Sequence, residues 1–263
     1  LRLLPDFIII GAQKGGTSSL YAYLSQHPCV QAATVKEVHF FDENFGRGLN
    51  WYRHFFPSLA QKFADVTTEK KPRLLTGEAS PYYIFHPLAA RRIAAILPRV
   101  KLVALLRNPV DRAYSHYQHE VRAGDEPLSS FVEAIAREEE RLQGEKEKIL
   151  ADEQYNSFNY RHYSYLARGL YADQLENWFE FFPAKQILII ASEEFYANPV
   201  RIYQKTLDFL SLPYFDIKHY YKYNTNQYQD MDTTLYKKLS DYFKPYNQRL
   251  SNILGKHFEW DIK

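Results

Sequence analysis

Phe7-Ile8-Ile9-Ile10-Gly11-Ala12-Gln13-Lys14-Gly15-Gly16-Thr17-Ser18-Ser19 is the stretch whose reading decides the fold. Four apolar residues predict a short buried strand. A loop with three glycines, a lysine and hydroxyl residues follows, and Ser19–Leu24 continues at helical spacing. Strand, glycine loop and helix N-terminus together form an anion cradle: backbone N–H groups converge, the helix dipole favours negative charge, and Lys14 adds a full charge. The order is not that of a Walker A loop, whose lysine follows the second glycine and adjoins Ser/Thr. Here Lys14 sits in mid-loop, with Gln13 before it and Gly15, Gly16, Thr17 and Ser18 after it.

Outward from this loop, apolar runs alternate with helical patterns. Strands are expected at 7–10, 73–77, 101–106 and 186–191. Helices are expected at 17–26, 87–97, 110–123, 128–150, 166–181, 200–210 and from 234 to 254. Short apolar strands separated by helices predict one α/β domain with a central parallel sheet covered on both faces. Segment 137–163 is charge-rich, is interrupted by Gly144 and runs into Tyr155, Phe158, Tyr160 and Tyr163. It reads as a solvated helix face or as a lid over a cleft.

The 263 residues are 46% apolar and carry a net charge of only +2, which argues against a dedicated nucleic-acid binder. The 22 Tyr and 18 Phe suggest a cleft walled by rings. The one cysteine, Cys29, reads as a small buried hydrophobe and excludes an internal disulfide, which favours a reducing, cytoplasmic compartment. No signal peptide or apolar run of membrane-spanning length is seen, so no membrane association is expected. The only methionine is Met231, so the chain reads as opening partway through something longer or as trimmed.

A second anion motif follows the strand at 101–106. Arg107 stands at a strand's carboxyl end, where ligands bind in open α/β sheets, and Ser115 comes two helical turns later. A guanidinium and a hydroxyl converging there suit a monoester phosphate. Asp111 and Arg112 read as fixing the turn and the helix start. Two phosphate sites on one sheet imply a ligand phosphorylated at both ends.

These two motifs, Gly11-x-x-Lys14-Gly15-Gly16-Thr17 and Arg107-x-Pro109-x-x-Arg112-x-x-Ser115-x-Tyr117, resemble the sulfotransferases that use 3′-phosphoadenosine-5′-phosphosulfate (PAPS) and release PAP. Further blocks extend the resemblance in the order found in glycosaminoglycan sulfotransferases: Lys36–Asp42, Gly48–Tyr52, Ser80–Tyr83, Arg168–Tyr171 and Gly255–Trp260. The resemblance implies that the first loop holds the 5′-phosphosulfate and the second the 3′-phosphate, with Tyr171 and Asn226 also expected at the nucleotide. It implies Lys14 as the stabiliser of leaving-group charge, Glu37 as the base, and no metal. His39, and Asp42 with it, are expected to line the same site, Glu37 and His39 sharing one face of a strand. His119, one turn beyond Ser115, is a further candidate for catalysis. Glu78, Tyr82 and Tyr163 are candidates for acceptor contact.

Where glycosaminoglycan enzymes carry basic residues, this chain has Gln13, Ser18, Ala79 and Ser164, and Asn224-Thr225-Asn226 replaces a Lys-Gly-Arg loop. An aromatic, weakly charged cleft is therefore expected. That expectation narrows the resemblance to the sulfotransferase domains of cyanobacterial polyketide synthases. There, neighbouring synthase domains and an acyl carrier protein present a β-hydroxyacyl chain whose sulfation leads to a terminal alkene. A stand-alone carbohydrate or small-metabolite O-sulfotransferase is the alternative, and a nucleotide-binding module without catalysis is the alternative of another class.

Overall fold

The computed structural model describes residues 2–60, 74–223 and 229–260. Five parallel strands form its sheet: β1 (Phe7–Gly11), β2 (Val30–Ala32), β3 (Leu75–Ala79), β4 (Lys101–Leu106) and β5 (Ile187–Ala191), in the spatial order β2-β3-β1-β4-β5. The chain leaves β1 towards β3 on one side and towards β4 on the other. The gap above β1 and β4 is thus the point where the winding reverses, the usual ligand crevice of an open α/β sheet.

The apolar runs are continuous because both faces of the sheet are covered. Ile8 and Ile10 of β1, with Leu102, Ala104 and Leu106 of β4, pack under α3 (Ala89–Ile96) and α9 (Tyr171–Phe181) through Ile93, Leu175 and Trp178. Phe7, Ile9, Val103 and Leu105 point the other way, onto Leu20 of α1 (Thr17–Leu24) and Ile202 and Leu207 of α11 (Pro199–Leu210). This alternation is the period-two geometry of a strand. Gly77 is required at the β3–β1 contact, because a Cβ there would lie 2.5 Å from the Phe7 ring.

Helix α4 (Pro109–Ala123) starts behind Asn108, whose side chain accepts from Val110 N (2.9 Å) and Asp111 N (3.4 Å). Asn108, not the expected Asp111 and Arg112, therefore fixes the turn. Arg112 is buried and donates to the Tyr165 carbonyl.

The expected helix 128–150 is three shorter ones: α5 (Phe131–Ala136), α6 (Glu138–Leu142) and α7 (Glu145–Ala151). Gly144, with φ +75, breaks the last two apart. Nor is segment 137–163 a solvated face throughout. Glu138 is buried and accepts from Leu166 N (2.7 Å) and Ala167 N (2.8 Å), while buried Glu145 accepts from Tyr155 and Ser157. The segment ends in α8 (Phe158–His162). The helix expected from 166 begins at Tyr171, after a 3-10 turn at Ala167–Gly169. Among the short elements that escaped the sequence reading are β2, α2 (Gly48–Arg53), α8 and α10 (Ser192–Ala197). Helix α12 (Thr233–Leu254) runs unbroken through Pro245. Cys29 is half-buried, not buried. No described helix is long and apolar enough to cross a membrane.

Candidate active site

The loop from β1 to α1 is pinned to its neighbours at two points and closed on itself by a third bond. Ala12 N donates to Leu105 O of β4 (2.8 Å), Gly15 N to Ala12 O (2.9 Å), and Ser192 Oγ to Gly15 O (2.6 Å). A Cβ on Gly15 would fall 2.4 Å from Leu105 O, so only glycine lets the loop lie on β4. Lys14 and Gly16 take left-handed backbone conformations, φ 69 and 101. This turn presents Gly16, Thr17 and Ser18 to a cavity of about 630 Å³, within the range of small-molecule sites. The first N–H groups of a helix have no partner within it, so the start of α1 offers donors there.

Lys14 and Arg107 line the same cavity, and neither forms an ion pair among the described residues. Burial, with the nearby Arg122 and Arg107, pushes the Lys14 ammonium down to about 8. A half-buried lysine beside two guanidinium groups is the electrostatic mark of an anion site. Arg107 Nη1 donates to Lys14 O (3.3 Å), and Tyr171 OH to Arg107 O (2.9 Å). Tyr171 is buried behind Arg107 and supports it without lining the cavity. Ser115, on α4, does line it. Asn226 lies outside the described residues; Lys222 and Tyr223, just before it, are at the cavity wall.

The second wall carries Glu37 and His39. They are on a loop rather than a strand, because β2 ends at Ala32 and His39 is left-handed with φ 51. That conformation is held by three bonds: His39 N to Ser80 Oγ (3.2 Å), and Asn44 N (2.9 Å) and Nδ2 (2.8 Å) to His39 O. His39 Nε2 is 3.2 Å from Glu37 Oε2, and its Nδ1 is 2.7 Å from Asp42 Oδ2. Lys36 pairs with the other oxygen of Glu37. Burial works against both charges. It is outweighed at Glu37 by His39 and Lys36, which hold the carboxyl at about 2, and at His39 by Asp42 and Glu37, which lift the imidazole to about 9. Around neutral pH Glu37 is therefore a carboxylate and His39 an imidazolium. Asp42 sits behind His39, off the cavity surface.

His119 lines the cavity from α4 and makes no hydrogen bond or ion pair among the described residues. Burial and then the Lys14 charge lower its pKa, so it is neutral where His39 is charged. Its neighbour Glu120 lies between two histidines, 3.0 Å from His116 Nε2 and 2.7 Å from His162 Nδ1.

Three expected contacts fall elsewhere. Glu78 is fully buried away from the cavity, accepting from Tyr52 (2.5 Å), Ser80 (2.7 Å) and Tyr83 (3.2 Å), and burial raises it to about 7. Tyr163 donates to Asp125 O (2.9 Å) with Arg141 over its ring, and does not line the cavity. Gly15 lies beneath the loop rather than on its surface. Tyr82 lines the cavity as expected.

The weakly charged cleft expected from the sequence is not what forms. Lys36, Arg161, Arg168 and Lys222 join Lys14 and Arg107 on the walls, opposed by Glu37, Asp111, Glu120, Asp125 and Glu193. Arg168 is buried, lies 4.6 Å over the Tyr82 ring, and donates to Gln13 Oε1 and to Ser164 Oγ (2.8 Å). Two of the four neutral residues read as lost charges, Gln13 and Ser164, are thus the acceptors that hold an internal guanidinium. Arg161, His162 and Arg168 were missed as site residues. The one signal for Arg168 was its place in the Arg-Gly-Leu-Tyr block. Two carboxylate–histidine groups, His39–Asp42–Glu43 and Glu120–Asp125–His162, also form with ligating atoms within 4.8 Å, which sequence spacing does not reveal.

The family model for the sulfotransferase domain matches residues 4–249. The membrane-associated sulfotransferase kil1 of Dictyostelium discoideum is 28% identical, over 99% of this chain and 67% of its own length. Human bifunctional heparan sulfate N-deacetylase/N-sulfotransferase 2 is 30% identical over 96% of this chain, which spans only 30% of that protein. Among solved structures, a sulfotransferase from Alicyclobacillus acidocaldarius superposes with a TM-score of 0.74 at 32% identity, covering 99% of this chain and 100% of its own. The sulfotransferase domain of the curacin biosynthetic pathway reaches a TM-score of 0.50 at 17% identity, covering 98% and 100%, a likeness of fold alone. The chain belongs to the sulfotransferase domain family.

Proposed function

We propose that the chain transfers a sulfuryl group from PAPS to a hydroxyl of a carbohydrate or similar polyhydroxylated acceptor. The observation that carries this is one cavity lined both by Lys14 and Arg107, which form no ion pair among the described residues, with the α1 N-terminus, and by Glu37, His39 and His119. The donor supplies a sulfuryl group on a phosphate leaving group. Gly16, Thr17 and Ser18 offer backbone N–H groups to its 5′ end, and Arg107 and Ser115 suit its 3′-phosphate.

Lys14 stabilises the charge that grows on the bridging oxygen as the S–O bond breaks and its electron pair moves to the phosphate. A new bond forms between sulfur and the acceptor oxygen, whose proton goes to a base. Glu37 is ionised and ready to accept it, though the His39 and Lys36 contacts make it a weak base until the acceptor displaces one of them. His119, neutral and without a hydrogen-bond partner among the described residues, is the second group able to take the proton.

Polar, doubly charged walls support a polyhydroxylated acceptor over an acyl chain, and the heparan sulfate enzymes among the relatives point the same way. A β-hydroxyacyl carrier protein is the less supported acceptor, since the curacin domain shares only the fold. The test is transfer of labelled sulfate from PAPS to a glycoside panel and, in parallel, to a β-hydroxyacyl carrier protein. Transfer to glycosides is expected. Transfer to the carrier protein alone refutes the acceptor. Unchanged turnover in both Glu37→Gln and His119→Ala refutes the assignment of the base.

A further inference from the structure

A second hollow of about 160 Å³ adjoins the main cavity and shares Tyr82, Arg161 and His162 with it. Its remaining polar walls are Glu43, His86, Asn156 and Ser157, and Phe158 stands at its rim. His86 is only 4% exposed. Its Nδ1 accepts from Leu88 N (3.3 Å), so the neutral ring carries its proton on Nε2. Burial pushes its pKa down to about 4, which keeps the ring neutral at physiological pH. Nε2–H meets no acceptor among the described residues, and it is not one of the side-chain atoms sealed off from solvent without a partner, so it opens onto the hollow. A donor placed there can give its hydrogen bond to a water or to an acceptor atom on a ligand.

The surroundings define that ligand. Arg161 pairs with Glu43, which leaves the hollow with no net charge from this pair but with both donor and acceptor atoms. Asn156 Nδ2 donates to Glu43 O (3.2 Å), which leaves its own carbonyl oxygen available. Phe158 is 49% exposed and stacks on His162 with ring centres 4.3 Å apart, presenting an apolar ring face beside these polar groups. The space holds on the order of five waters, about one pyranose ring. Alternating donors and acceptors beside an aromatic face suit a ring bearing hydroxyls on its edge and C–H bonds on its face.

We infer that this hollow is a second acceptor subsite, which takes the sugar unit next to the one sulfated and reads its oxygens through His86 Nε2–H and Arg161. The inference rests on the carbohydrate reading of the main cavity. It makes the enzyme selective for acceptors of at least two linked rings.

The test compares kcat/KM, with PAPS as donor, for methyl monosaccharides and for methyl disaccharides that share the same reacting unit. In the wild type the disaccharide is favoured by about tenfold or more, the worth of one or two buried hydrogen bonds. In His86→Leu the ratio falls towards one, and PAP binding by calorimetry reports whether the main cavity has kept its fold. Phe158→Ala, at an exposed position, lowers the ratio without a core substitution. A wild-type ratio near one, or a ratio kept in both variants, overturns the subsite while leaving carbohydrate sulfation standing. No transfer to a glycoside of any length overturns the carbohydrate reading, and the subsite with it.

Discussion

The Lys14 ammonium makes PAP binding fall with pH in a window where most protein charges are constant. Burial and the Arg122 and Arg107 charges set its pKa at about 8, against an ordinary 10.5. A bound phosphate supplies the missing counter-charge and restores the ordinary value. The sign follows from linkage: the ligand binds the protonated lysine, and the free protein loses that proton as pH rises through 8. At pH 7 about nine-tenths of the free protein is ready; at pH 9 about one-tenth is, so Kd for PAP rises about tenfold over these two units. A phosphate monoester, with its second pKa at about 6, changes its charge little across this range. His39, at about 9, does titrate, so a control is required. Lys14→Arg keeps its charge throughout and flattens the dependence, whatever its absolute affinity. Titration calorimetry with PAP at pH 7, 8 and 9 measures both proteins. A flat wild-type Kd, or an equal slope in Lys14→Arg, refutes the reasoning.

Asp42→Asn removes the buried carboxylate from His39 Nδ1, so the imidazole falls from about 9 towards 6.5; the alkaline limb of the kcat profile should move to lower pH. An unmoved limb in a pH–rate comparison with wild type would show that His39 does not govern it. Glu78 is raised to about 7 by burial, so the folded state resists its ionisation and its stability contribution is lost as pH rises from 4.5 through 7. Glu78→Gln cannot ionise, so its melting temperature relative to wild type should climb between pH 5 and pH 8, by an energy on the order of 2–3 kcal/mol. A constant difference counts against this account. Gly15→Ala places a Cβ 2.4 Å from the Leu105 carbonyl. It should destabilise the fold by about 1–3 kcal/mol in denaturant unfolding and weaken PAP binding, and wild-type values for both would refute the packing argument.

The features readable in the sequence were those whose cause is local. The β1–α1 cradle, the strand leading to Arg107 and the helix carrying Ser115 and His119 depend on apolar runs, glycines and turn residues within about twenty positions. What escaped depends on residues far apart in the chain. Glu138 looks like one more surface acid in a charged run, and only the Leu166 and Ala167 amides make it a buried acceptor. Gln13 and Ser164 read as missing charges because nothing nearby shows that Arg168 reaches both. Glu37 and His39 meet as expected, but through a turn at a left-handed histidine rather than along a strand. Glu78 looked available because it stands just before the Ser80-Pro81 block. Tyr52 and Tyr83, one of them 26 residues away, close over it.

Lys14 follows β1 and Arg107 follows β4, and these strands are hydrogen-bonded neighbours whose separation the sheet holds at about 4.8 Å. The loop is tied to β4 again through Ala12 N and Leu105 O. The two cationic anchors therefore behave as the jaws of a fixed caliper. A nucleotide with charged groups at both ends gains the second contact at little further entropic cost once the first has formed, as linked binding modules do. A mononucleotide with phosphate at one end only forfeits that gain. Discrimination between such ligands would then be a matter of span, set by the backbone ladder, with the base itself contributing little.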